Sequence, residues 1–158
     1  MKRHINCSHS PYFLNTLFLF ALFLSPVSAI ADSGGDYSTG FHGITWGATL
    51  ASQGDKLVES SNSIPPFDGY EKTDENLTWE GVKATGITYG FSDNKFAALN
   101  IAFSKNDVDA VVSSLEKKFG KTTKTDLFIM VNYEWHTKQF DISLVSTSNG
   151  ASFNLKVK

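Results

Sequence analysis

The chain has 158 residues, a formal net charge of −2 and 13% aromatic residues. Its single cysteine, Cys7, and its single arginine, Arg3, both stand near the N-terminus, so everything beyond them lacks thiol and guanidinium groups. That excludes a disulfide scaffold, a cysteine nucleophile and a thiolate metal site, and it removes the planar fork that reads phosphate or guanine.

In chain order, the first 31 residues read as an export signal. Lys2 and Arg3 supply positive charge, Phe13 to Leu24 is apolar, Ser25-Pro26 breaks the run, and Ala29-Ile30-Ala31 fits a cleavage site. Val27-Ser28-Ala29 offers a second site. Cleavage after Ala31 predicts a periplasmic or secreted product of 127 residues, not inserted in a membrane, with 12 lysines against 16 acidic residues and hence a charge of −4. A mildly acidic, arginine-free surface repels a polyanion, so no nucleic-acid partner is expected. Residues 32–40 read as a flexible leader and 41–158 as a single domain, a length sufficient for one core.

Phe41 to Trp46 alternates, which predicts a strand with His42, Ile44 and Trp46 on one face. Thr49 then caps a short helix carrying Leu50, Leu57 and Val58 on one side, with Gly54 as a weak point. Ser60 to Asn76 has no period and contains Pro65, Pro66 and Gly69, which predicts a long loop of the kind that often carries function. Strands follow at Leu77–Glu80, Thr85–Phe91 and Phe96–Phe103, with Asp93-Asn94 as a hairpin turn. A second helix is predicted over Asp107–Phe119: Val108, Val111, Val112, Leu115 and Phe119 form an apolar stripe, Asn106 is a cap and Gly120 a stop. Strands at Phe128–Trp135, Phe140–Val145 and Ala151–Val157 complete the chain, the last two joined at Asn149-Gly150.

This order predicts a two-layer α+β domain, an antiparallel sheet with two helices packed on one face. Tyr89–Phe96 ("YGFSDNKF") and Tyr133–Phe140 ("YEWHTKQF") share the pattern Y-x-[FW]-x4-F, which leaves open a tandem helix plus three-strand repeat. Phe41, Gly43, Ile44, Trp46 and Gly47, then Tyr89, Phe91, Asp93, Lys95 and Phe96, then Lys117–Gly120, resemble the pattern of a loose group of small exported bacterial proteins without assigned function. The helix and three-stranded meander are also similar in topology to SmpA/BamE outer-membrane assembly lipoproteins and, if doubled, to β-lactamase-inhibitor proteins. That likeness implies a fold and no chemistry, and the lipid-attachment cysteine of the lipoproteins is missing.

Beyond the signal only His42 and His136 remain as histidines, and no G-x-S-x-G elbow or H-E-x-x-H spacing accompanies them. Asp68, Glu71, Asp74, Glu75 and Glu80 crowd one region without the order of a calcium loop. No catalytic residue, metal or cofactor is therefore expected. Exposed aromatic rings can stack on sugars or anchor a protein, and Tyr70, Phe67 and Trp79, in or beside the long loop, are the candidate binding residues. The expectation is a non-enzymatic domain that binds an envelope protein or enzyme through loops and one exposed sheet face. The alternative is a small-ligand or glycan-binding module using the Ser60–Asn76 loop.

Overall fold

A computed structural model describes residues 37–158 apart from Ser63, so the expected signal segment lies outside the described residues. The architecture is mostly β and corrects the expected two-helix α+β layer. Strand β1 (Gly40–Phe41) and β2 (Ile44–Thr45) form a small hairpin. Nine further strands form one antiparallel sheet: β3 (Leu57–Glu59), β4 (Asp68–Lys72), β5 (Thr78–Trp79), β6 (Val82–Ser92), β7 (Lys95–Phe103), β8 (Thr123–Leu127), β9 (Met130–His136), β10 (Phe140–Thr147) and β11 (Ala151–Val157). The main path runs β3-β4-β6-β7-β11-β10-β9-β8, with β5 paired to β6. A single α-helix, α1 (Val108–Phe119), preceded by a 3₁₀ turn at Lys105–Asp107, lies among the described residues.

The first expected helix fails at Gly54. The segment Leu50–Lys56 forms only 3₁₀ turns, because Gly54 takes φ 57° and ψ −142° and no regular helix passes through that conformation. Leu57 and Val58, expected on its apolar side, instead begin β3. The expected long loop contains β4, which pairs with both β3 and β6. Without a first helix, a helix plus three-strand repeat is not formed. The two strand triplets meet through β7 and β11 at the centre of one sheet.

Helix α1 matches the expected stripe: Val111 and Leu115 are fully buried, while Val108, Val112 and Phe119 pack partly against the core. Gly120 stops it with φ 86° and donates its N–H to the Glu116 carbonyl at 2.9 Å. The Gly120 carbonyl accepts from Trp135 Nε1 at 2.9 Å, which fastens the helix end to β9. Beneath the helix lies one continuous face of Ile87, Tyr89, Leu99, Ile101, Phe103, Ile142, Leu144, Phe153 and Leu155. The register of β6, β7, β11 and β10 brings these residues opposite one another.

Tyr37, read from sequence as part of the flexible leader of residues 32–40, is 3% exposed. Its ring stacks on Phe41, its hydroxyl accepts from Trp79 Nε1, and its carbonyl accepts from Trp46 Nε1 at 2.6 Å. The expected strand Phe41–Trp46 is broken by a turn in which His42 (φ 43°) and Gly43 (φ 83°) are both left-handed. His42 therefore leaves the face of Ile44 and stacks on Phe41, ring centroids 3.9 Å apart.

Candidate functional site

The alternation that builds the core face builds a second face from the intervening residues. In register across six strands, Thr88 of β6 faces Asn100 of β7, Asn100 faces Asn154 of β11, and Asn154 faces Ser143 of β10. Ser143 faces Glu134 of β9, and Glu134 faces Thr123 of β8. At about 4.8 Å per strand the row spans roughly 24 Å. Asn100 Nδ2 donates to Asn154 Oδ1 at 2.8 Å and to Ser152 Oγ at 2.5 Å, which fixes the amide at the centre of the row.

A β-bulge opens the floor beside this row. Ala84 pairs with Phe103 and Gly86 with Ala102, so Thr85 is the extra residue, and both Thr85 and Gly86 turn toward the polar face. A Cβ placed on Gly86 would meet nothing within 4 Å, which leaves open space above that floor. Ser61, Asn62, Ile64 and Pro65 form the wall. Asn62 lies close because Gly69 allows it: a Cβ at Gly69 would stand 2.5 Å from the Asn62 carbonyl oxygen, while at Gly90, in register with Gly69, a Cβ would stand 2.9 Å from Ala98 Cβ and 3.1 Å from Phe67 Cβ. The result is a recess of about 840 Å³, floored by Thr88, Asn100, Ala102, Ser143, Ser152 and Asn154 and walled by Asn62, Ile64 and Pro65. Lys156 stands at one end, where a smaller recess of about 260 Å³ continues past Glu134, His136 and Asp141.

The three aromatic residues singled out from sequence do not converge. Phe67 is half-buried on the groove side, with Lys156 Nζ 5.7 Å from its ring centroid. Tyr70 is in register with Tyr89, packs edge-on against Phe91, and borders a different cleft with Leu50, Asp55 and Asn94. Trp79 is 1% exposed, packs on Phe103 and Phe153, and has no face open to a ligand. The groove residues Thr88, Asn100, Ser143, Ser152 and Asn154 were not singled out. Their signal was the presence of asparagine, a poor strand former, in the middle of two strongly apolar strands.

The acidic cluster disperses into separate contacts. Glu71 accepts from Ser60 Oγ at 2.5 Å, and Glu80 pairs with Lys118 at 2.5 Å. Glu75 joins His42 Nδ1 at 2.8 Å and also accepts from the Tyr89 hydroxyl. Burial works to raise the Glu75 carboxyl, but hydrogen bonds from His42 and Tyr89, with the charges of His42 and Lys72, outweigh it and hold it below the usual carboxylate range. Burial and the Glu75 carboxylate push the Tyr89 phenol well above its ordinary range. This network ties the β1–β2 turn to the core and stands away from the groove. Its composition and burial describe a structural clasp. Among the described residues no group of three or more histidine, cysteine or acidic side chains is placed to hold a metal ion.

Fold and site together define a class: a one-helix antiparallel β-sheet domain with a neutral, amide- and hydroxyl-lined groove on the sheet face opposite the helix. No protein-family profile, curated protein or solved structure matches the chain.

Proposed function

We propose that this protein is a non-enzymatic binding domain that takes a short, uncharged, hydroxyl-rich ligand, a neutral oligosaccharide, into the groove floored by Thr88, Asn100, Ser143, Ser152 and Asn154. The observation that carries the reading is the in-register row of neutral hydrogen-bonding side chains beneath a recess of about 840 Å³. Ligand sites are typically concavities of about 300–1,000 Å³ with a few convergent polar groups. Amides and hydroxyls each offer both donors and acceptors, which matches the donor and acceptor pattern of sugar hydroxyls. The exposed Pro65 gives one wall an apolar surface for the C–H face of a sugar ring. The sparse charge, with Lys156 at the end of the groove, favours a neutral ligand over a polyanion.

An envelope-protein partner using this face would need a protruding segment to reach the recessed floor, so the recess favours a small ligand. Calorimetric titration of the protein with chitotriose and with maltotriose tests the reading. Saturable heat with one trisaccharide, abolished by Gly86→Phe, supports it. The absence of heat with both at millimolar concentration counts against it.

A further inference from the structure

We propose that β8 is a self-association edge, and that two copies of this chain pair antiparallel through it about a two-fold axis at Thr125. The proposal is independent of the groove. Strand β8 ends the main sheet path and pairs only with β9. All five of its residues are exposed, and its register with β9 runs through five consecutive pairs without a bulge. An outer row of backbone N–H and C=O groups on a regular, unbulged strand is a template for another strand. Proteins that keep such edges solitary use short strands, bulges, proline or charged side chains to spoil them.

The charges on β8 do the opposite. Lys124 and Asp126 flank Thr125, and within one chain they stand 3.3 Å apart on the same face. When the strand meets its own reverse about Thr125, Lys124 lies opposite Asp126 of the second copy, Asp126 opposite Lys124, and Thr125 opposite Thr125. Opposite charges and paired threonines are favourable cross-strand neighbours. An axis at Lys124 would set lysine against lysine, and one at Asp126 would set aspartate against aspartate. Only the axis at Thr125 sets both charges of β8 against opposite charges.

The apolar residues beside the strand extend the contact. Leu127, Phe128 and Ile129 are 51%, 106% and 71% exposed at the β8–β9 turn. None takes a positive φ, so the turn backbone does not call for these residues, and no core contact does either. In the paired arrangement Leu127 faces Thr123 of the second copy, while Phe128 and Ile129 continue along Thr122 and the aliphatic stem of Lys121. A lysine stem covers apolar surface while its ammonium stays in water. The two sheets then join into one, with two-fold symmetry and the same edge used by both copies.

Sedimentation velocity from micromolar to millimolar concentration tests this with four proteins, each expressed from the full-length sequence. The parent should double its apparent mass as concentration rises. Lys124→Asp alone and Asp126→Lys alone should remain monomeric, since each opposes like charges, and circular dichroism melts should show both folded. An equimolar mixture of the two single variants should sediment as a dimer, and the double exchange Lys124→Asp/Asp126→Lys should restore self-association. A parent that stays monomeric throughout overturns the proposal, as do single variants that dimerise like the parent. A monomeric parent that floats with phosphatidylglycerol vesicles, and ceases to do so on Phe128→Ser, would assign the exposed turn to a lipid surface instead.

Discussion

Asn100 and Asn154 face each other in register at the centre of the sheet, and the Asn100 amide donates to Asn154 Oδ1 at 2.8 Å and to Ser152 Oγ at 2.5 Å. The bonds orient a row of side chains that the core does not need, because the core occupies the other face. Asn100→Ala should therefore lower stability by only about 1 kcal/mol, the net worth of a typical side-chain hydrogen bond. Trisaccharide affinity should fall at least tenfold. Urea denaturation and calorimetry on the same variant separate the two effects.

Gly86 gives a cleaner separation of binding from folding. Its φ is not in the left-handed range and its Cβ direction is open, so a side chain enters the groove without backbone strain. Gly86→Val should change stability by less than about 1 kcal/mol, since a valine suits a strand better than glycine but exposes apolar surface. It should also reduce ligand affinity. A melting temperature many degrees lower would show that Gly86 serves the bulge and not the floor.

Trp79 and Phe128 should behave as opposites despite similar hydrophobicity. Trp79 is 1% exposed among Tyr37, Phe103 and Phe153, so Trp79→Ala should cost about 3–5 kcal/mol. Phe128 is fully exposed, and Phe128→Ser should leave monomer stability within about 0.5 kcal/mol of the parent. Leu115→Asp, which places a carboxylate on the buried stripe of α1, should unfold the domain. Chemical denaturation at low protein concentration measures all three.

Acid and alkali should act through the Glu75–Tyr89 contact with opposite signs. The Glu75 carboxyl ionises more readily when folded than in the unfolded chain, where its pKa is about 4.3, so its contribution is complete above that value and is lost as pH falls through the folded one. Glu75→Gln should lower neutral stability and flatten the acid limb of the stability profile below about pH 4. The Tyr89 and Tyr37 phenols are raised, so the folded protein keeps protons that the unfolded chain releases above about pH 10, and stability should decline as pH rises beyond that point. Absorbance titration of tyrosinate should show Tyr37 and Tyr89 ionising only together with unfolding.

Strands β6, β7, β9, β10 and β11, α1 and the left-handed Asp93-Asn94 turn were legible in the sequence because each has strong local periodicity or turn chemistry. Strands β3, β4 and β8 were not. Asp68–Lys72 and Thr123–Leu127 are mostly polar and owe their strand conformation to the strands they pair with. Gly54 inverted the reading of the first helix: its weak propensity was visible, but not that it would take a positive φ. The groove was hidden for a related reason. Alternation identifies the apolar face directly, whereas the usefulness of the polar face depends on register and on a loop lying over Gly69 and Gly90. Tyr70 and Trp79 were singled out as rings near a loop, yet β4 and β5 turn those rings toward the core.

The groove itself is tested most directly by a ¹⁵N–¹H correlation spectrum of the isotope-labelled protein titrated with chitotriose and, separately, maltotriose. Binding at the proposed site predicts saturable shifts concentrated in Thr85–Thr88, Asn100–Ala102, Ser143 and Ser152–Asn154, with the side-chain amides of Asn100 and Asn154 among the largest. Both titrations should leave α1 and the His42–Gly43 turn undisturbed. Saturable shifts gathered instead around Tyr70 and Leu50, or no shift with either sugar at millimolar concentration, would contradict the account.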